Sequence, residues 1–279
     1  MSTISIVPDT AVTDSWIRKV GLGVMRMTPT LALTAAVIVA WELATRLLHL
    51  PTFVLPAPSV IAAELVRKQD DLFFAALVTA QEVLFGFVLS AAVGILVALV
   101  IARFDAFGRA LYPLVVLFQN VPKIALAPLF ILWFGYDLLP KIALIVVIAF
   151  FPVALDMLAG LQSVDPNLVT LLRSVGASRT EILRRVQVPH SLPYLMSGLK
   201  IAVTLSVIGA IVGEFAGASA GLGYLIQFAS TQMETALVFA ALVEVSVLGV
   251  VFFYAVEALE RRYVSWMPHA ADAHGRAHG

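Results

Sequence analysis

The chain has 279 residues, 61% hydrophobic and 13% charged, with equal numbers of basic and acidic side chains. Soluble domains average roughly 45–50% apolar and about 25% charged residues, so the apolar excess here calls for a bilayer as solvent. A formal charge of zero offers nothing to attract nucleic acid, and the lack of cysteine excludes a disulfide framework, a thiol nucleophile and a thiolate metal site.

In chain order, Arg18, Lys19 and Arg26 precede an apolar run from Leu31 to Trp41. The basic residues begin too late for a secretory leader, Asp9 and Asp14 lie upstream, and apolar runs continue through the chain. Residues 1–29 are therefore expected as a cytoplasmic segment leading into an uncleaved first span. A crossing helix needs about 20 mostly apolar residues. Runs at 30–48, 75–102, 110–135, 142–162, 192–215 and 235–259 meet that need, the second containing an uncharged stretch from Val83 to Ala102. The expected fold class is an all-α membrane protein with about six transmembrane helices. With the N-terminus inside, the inner segments carry Arg18, Lys19, Arg26, Arg103, Arg109, Arg173, Arg179, Arg184, Arg185, Arg261, Arg262 and Arg276. The outer segments carry only Arg46, Arg67, Lys68 and Lys141. This asymmetry is the positive-inside pattern, and it places both termini in the cytoplasm.

Between the first two spans, Pro51, Pro56 and Pro58 predict an extended outer segment, followed by a short surface helix to about Asp71. Beyond Trp266, His269, His274 and His278 have irregular spacing and no companion carboxylate or thiolate, so residues 263–279 read as a disordered cytoplasmic tail without a metal.

The longest inner connection, 163–191, has the most structured local signals. Asp165 before Pro166 marks a helix start, and Val169, Leu172 and Val175 then share a face. Gly176 allows a turn. Ser178 and Glu181 have capping-box spacing, opening a second helix that is expected to end at Pro189. Two short helices at a fixed angle, with apolar knobs and basic flanks, make a rigid protrusion suited to a groove on another protein.

Charges inside the spans are Glu42, Glu82, Lys123, Lys200, Glu214, Glu244 and Asp156. Each is costly there, so it either pairs, lies near a span end, or serves a pathway. In the third span, Pro122 and Pro128 interrupt the helix beside Gln119, Asn120 and Lys123. Such breaks kink a helix or mark a solute route, which makes Gln119, Asn120, Pro122 and Lys123 pathway candidates. Glu214, next to the Gly-rich stretch 217–223, is a further one; the glycines there form an outer gate or a tight re-entrant turn. Trp16, Trp133, Tyr136, Tyr224 and Trp266 fit interfacial anchors. Gly86, Gly94, Gly198 and Gly209 fit close helix packing.

The interval from Gly176 to Val186, Val188 and Pro189 resembles the EAA loop of ABC importer permeases: Glu-Ala-Ala, three residues, Gly, nine residues, then aliphatic-x-aliphatic-Pro. Thr170, Leu171 and Leu172 stand where the Glu-Ala-Ala triplet is expected, so the acidic residue is missing. The stretches Gln119–Leu129, Leu132–Gly135, Phe150–Pro152, Gly198–Lys200, Glu214 and Gly221–Ile226 are similar to the nitrate/sulfonate/taurine branch, close to permeases for pyrimidine precursors, riboflavin or aromatic acids. The resemblance spans roughly residues 50–266. It implies a MetI-like type I permease core over 72–262, with a first peripheral helix and outer connection at 30–71 and loop 163–191 as the coupling element. Thr170, Arg173, Gly176, Ala177, Ser178, Glu181, Arg184, Arg185 and Pro189 would then face the ATPase. It also implies a second, identical permease chain, two cytoplasmic ATPase subunits, an extracytoplasmic solute-binding protein and a bacterial inner membrane.

No G-x-x-x-x-G-K-[ST] phosphate loop, Ser/His/Asp set or HExxH is present, so no cofactor, metal or enzymatic activity is expected, and energy must come from a partner or an ion gradient. The alternative to an ATP-driven importer for a small polar solute is a gradient-driven carrier, suggested by the glutamates within spans.

Overall fold

The computed structural model describes residues 31–264. Among them the architecture is helical throughout. The first helix, α1, covers 31–47 and is followed by α2 (Pro58–Arg67), α3 (Gln69–Arg103), α4 (Asp105–Gln119), α5 (Ala127–Phe134) and α6 (Leu138–Gln162). Next come α7 (Pro166–Ser174), α8 (Arg179–Ile182), α9 (Val188–Gly217), α10 (Leu222–Thr231) and α11 (Thr235–Tyr263). A 3₁₀ turn (Lys123–Leu126) leads into α5, and a π turn (Leu183–Gln187) joins α8 to α9.

Four of these helices are long and apolar enough to cross a bilayer without interruption: α3, α6, α11, and the continuous rod Arg179–Gly217 made of α8, the π turn and α9. A bent pair, Ala110–Gln119 with Lys123–Phe134, supplies a fifth if its two arms count as one span. The described part of the first expected span is α1, whose residues 31–40 are all exposed.

Packing centres on α6, with α9 and α3 against it. On α3 the buried positions Leu72, Ala75, Thr79, Val83, Gly86, Ser90, Gly94, Ala98 and Ile101 recur every three or four residues, forming one stripe of mostly small side chains. Small residues let backbones approach: a Cβ at Gly94 would lie 2.6 Å from the Phe150 carbonyl oxygen and 2.7 Å from Val153 Cβ. A second apolar cluster joins Leu72 and Ala76 to Leu222 and Ile226 of α10 and Leu237 and Ala241 of α11. Outward-facing Leu, Val and Phe side chains cover α1, α3 and α11, as a lipid solvent requires.

Three sequence expectations change. Pro189 does not end the loop's second helix. It lies in the first turn of α9, where its missing N–H follows the widened π turn, and the rod continues. Lys141, assigned above to an outer segment, belongs to α6, which begins at Leu138 under an Asp137 cap. The third expected span is not one straight helix but two arms 87° apart, with Pro122 between them and Pro128 at the start of α5. The surface helix predicted before the second span is α2, tied to α1 by Glu42, which accepts from Ser59 N (3.0 Å) and Ser59 Oγ (2.8 Å) and pairs with Arg46 (2.6 Å). This carboxylate therefore caps the start of α2.

Gly94→Ala is expected to destabilise the protein by about 1–3 kcal/mol through overpacking between α3 and α6. Gly249→Ala, where an added Cβ meets nothing within 4 Å, is expected to be neutral or to gain up to about 1 kcal/mol from helix propensity. Thermal melts in detergent compare the two.

Candidate functional site

The projecting elbow is built from local rules. Asp165 accepts from Asn167 N at 2.8 Å and starts α7 with Pro166 in its first turn. At the other end, Gly176 N donates to Arg173 O and Ala177 N to Leu172 O, both at 3.0 Å. That pair of bonds is a Schellman closure, and it requires the positive φ of 88° that Gly176 adopts. Two residues later Ser178 and Glu181 form a reciprocal capping box: Ser178 N reaches Glu181 Oε2 at 2.9 Å, and Glu181 N reaches Ser178 Oγ at 3.3 Å. The Ser178 backbone N–H, followed by the Ser178 hydroxyl, holds the Glu181 carboxyl below its ordinary range.

α7 buries no side chain, and Leu168, Leu171 and Val175 are exposed. Its Thr170 hydroxyl is spent on the Pro166 carbonyl at 2.8 Å. A groove of about 320 Å³ runs along the inside of the elbow between Leu172, Val175, Ala177, Ile182 and Arg185. Glu181 lines it as well as Arg185, so the groove is mixed polar and apolar, and Arg173 and Arg184 are exposed on the same elbow.

At the helix break, Asn120 N donates to Leu117 O (3.1 Å) and Val121 N to Phe118 O (3.3 Å), winding up the end of α4. Gln119 and Asn120 are exposed. The Lys123 ammonium donates to Gln119 O at 3.0 Å and lies 5.6 Å from the Phe151 ring centre. Of the three lysines in the spans, Lys141 pairs with Glu82 and Lys200 with Glu260, whereas Lys123 has no carboxylate partner among the described residues.

Glu214 faces inward and is fully buried. It accepts from Thr79 Oγ1 at 2.6 Å and from Gly223 N, while Leu222 N donates to Thr79 Oγ1 at 2.8 Å. One carboxylate thus ties α9, α3 and the start of α10 together, and Gly221, at φ 112°, leaves no room for a Cβ beside it. The glycines of this stretch form a tight turn into α10. Close by, Glu82 of α3, 1% exposed, pairs with Lys141 of α6 at 2.5 Å, and its Oε2 has no hydrogen-bond partner among the described residues.

These features have counterparts in known proteins. Residues 90–265 match the family model described as binding-protein-dependent transport system inner membrane component. The chain belongs to this family. It is 39% identical over 229 residues to the formylaminopyrimidine transport permease protein ThiX of Halalkalibacterium halodurans, covering 82% of this chain and 91% of that one. It is 31% identical to the riboflavin transport system permease protein RibX of Chloroflexus aurantiacus, covering 82% and 86%. The taurine transport system permease protein TauC of Escherichia coli is 30% identical, with 81% and 84% covered. Among solved structures, a chain of the MetNI methionine ABC transporter in inward-facing conformations shares the fold at a TM-score of 0.56 and 24% identity, covering 71% of this chain and 95% of that one. The chain is thus a multi-pass transport permease and not an enzyme.

Within this family framework the residues singled out from sequence fall into three places. Thr170 through Pro189 lie along the elbow; Gln119, Asn120, Pro122 and Lys123 gather at the break; Glu214 is apart from both, in the core. Sequence reading did not pick out Thr79, Lys141 or Gln187 as functional. Thr79 looks like one hydroxyl in an apolar run, and its pairing with Glu214 spans 135 positions.

Two outcomes follow. Lys141→Met strands the Glu82 carboxylate and is expected to cost about 3–5 kcal/mol, while Lys141→Met with Glu82→Leu restores most of the loss; denaturation of reconstituted protein by a harsh detergent measures both. For Glu181, a lowered folded-state value means that its stabilisation is present above the ordinary glutamate value of 4.5 and is lost as pH falls through the folded value. Protection from hydrogen exchange across 178–187, taken relative to the intrinsic rate at each pH, should therefore fall on strong acidification in the native chain, and show no such step in Glu181→Gln.

Proposed function

We propose that this chain is the membrane-spanning permease subunit of an ATP-binding cassette importer, working as a dimer of identical chains with two cytoplasmic ATPase subunits and an extracytoplasmic solute-binding protein. The elbow at Gly176 carries this reading. It presents an unburied helix with exposed Leu168 and Leu171 and a groove of mixed polar and apolar lining at the family's spacing, on a rod that continues through the membrane. Nucleotide binding would close the ATPase subunits, the elbow would move with them, and the paired permeases would alternate between inward-open and outward-open. Both termini would then lie in the cytoplasm, with residues 72–262 as the transport core and 30–71 as a peripheral attachment.

The pathway in this reading passes the break between α4 and α5. Irregular backbone at membrane depth is tolerated only when protein or a water-filled cavity satisfies it, yet Gln119 and Asn120 are exposed in the single chain. A second permease chain across an aqueous cavity meets that requirement, with Gln119, Asn120 and Lys123 facing the solute. Glu214 would hold the outer turn closed from within. The solute would be a small polar compound of the kinds named for the relatives: a sulfonate such as taurine, a pyrimidine, or riboflavin. A gradient-driven carrier would need carboxylates free to load and unload an ion. Glu82 is held by Lys141, and Glu214 by Thr79 and Gly223, which supports the ATP-driven reading.

The test is purification from native membranes followed by uptake in cells. An ATPase subunit should copurify with the native chain. Gly176→Val, which forces a β-branched residue into the left-handed region at a cost of roughly 1–2 kcal/mol, should reduce that association about tenfold and reduce uptake with it. Uptake that survives loss of the ATPase, or that collapses with an uncoupler while ATP is held constant, overturns the proposal.

A further inference from the structure

The last carbonyls of a helix have no partner within it, and at the elbow two of them are answered from the loop. Arg179 Nη2 donates to Ala102 O, in the last turn of α3, at 3.0 Å. Gln187 Nε2 donates to Leu161 O, in the last turn of α6, at 3.1 Å. The partners are 77 and 26 residues apart in sequence, so neither bond is a local cap. The guanidinium also lies at the negative end of the α3 dipole, where a cation is favoured. A third contact, His190 Nε2 with Ser163 Oγ at 3.1 Å, ties the start of α9 to the end of α6. Ile182 is 4% exposed, and Leu183 and Val188 pack against the cluster formed by Ile101, Leu158 and Leu161. The elbow is thus divided. α7 is free on its outer side, whereas α8 and the π turn are pinned to two other helices.

We infer that Arg179 and Gln187 are positioning residues that clamp the elbow to the ends of α3 and α6, so that a displacement imposed on α7 reaches three membrane helices together. This rests on the ATPase-driven reading above. Without the clamps the rod Arg179–Gly217 would still move, because it is covalently continuous with the elbow, but at the elbow end α3 would follow it through apolar packing alone and α6 through that packing and the His190–Ser163 contact, the Glu214–Thr79 and Glu82–Lys141 ties lying further along the helices. Arg179 reaches the end of α3, and Gln187 the end of α6.

The absence of native cysteine makes paired spin labels straightforward. One label is placed at Val175→Cys on the elbow, and the second at Phe104→Cys beside the end of α3 or at Gln162→Cys at the end of α6; all three positions are exposed. Distances are measured in the permease–ATPase complex, nucleotide-free and trapped with Mg-ATP and vanadate. In the native background both distances should stay constant on trapping. Arg179→Ala should release only the elbow-to-α3 distance, by roughly 2 Å or more, the scale of helix shifts in switching proteins. Gln187→Ala should release only the elbow-to-α6 distance, and Arg179→Lys should restore constancy. A merely structural role would lower stability and broaden both distances together, so melting curves are recorded alongside. Distances that stay fixed in both alanine variants, or that both change in the native background, overturn the clamp and leave the functional reading intact. Failure of any ATPase to copurify overturns that reading and the clamp with it.

Discussion

A bilayer supplies no water to a stray polar group, so each departure from plain apolar helix has to be answered by the protein itself. Inside the bundle the turn into α10 is answered by Glu214 and Thr79, and at the helix ends nearer water α3 and α6 are tied by Arg179 and Gln187 and the start of α2 by Glu42. In each case the answering group comes from another element. The bonds that satisfy the backbone are therefore the same bonds that fix how the helices stand relative to one another. Apolar packing between α3, α6 and α9 holds the bundle together but defines direction poorly, since small residues along one stripe permit sliding. The polar ties remove that freedom at the helix ends.

What was legible in the sequence was what depends on near neighbours. The Asp165–Pro166 start, the glycine at the α7 terminus and the Ser178–Glu181 box all act within three or four residues, and each forms as its spacing predicts. The long uncharged run from Val83 to Ala102 likewise lies inside one helix. Long-range pairings were not legible. Lys141 depresses local hydropathy and reads as a loop residue until Glu82, 59 positions away, is seen beside it. The proline rule failed at Pro189 because a π turn immediately upstream accommodates the lost hydrogen bond, and nothing in composition announces such a turn. The prolines of the third span signalled a break, but its 87° angle depends on where α5 packs against α6 and α9. α10, ten residues behind a Gly-rich turn, is too short for a window tuned to membrane spans.

The broken span and the unbroken rod divide the work of a transporter between two kinds of backbone. Where the chain bends, at Gln119–Pro122, the side-chain amides of Gln119 and Asn120 are exposed. Where it does not bend, it can carry force. Lys123 is a half-buried cation held by a carbonyl and an aromatic face, with no carboxylate partner among the described residues. Lys141 and Lys200, already paired between helices, are committed to holding α3 to α6 and α9 to α11.

The length of the rod gives the geometry its consequence. Its 39 residues span about 58 Å at 1.5 Å per residue, close to twice the roughly 30 Å hydrocarbon core, so a large part of it must stand outside the lipid. The end that carries Arg179, Glu181, Arg184 and Arg185 is the end that water can accept, and the elbow is seated there. Near the opposite end, Glu214 grips α3 and the turn into α10. A tilt applied at the elbow therefore arrives, along one continuous helix, at the carboxylate that fastens the far turn. The stiffness of a hydrogen-bonded helix makes such a connection possible over this distance, and the π turn at 183–187 and Pro193 inside α9, both close to the elbow, are where the hydrogen-bond ladder of the rod is altered and bending costs less.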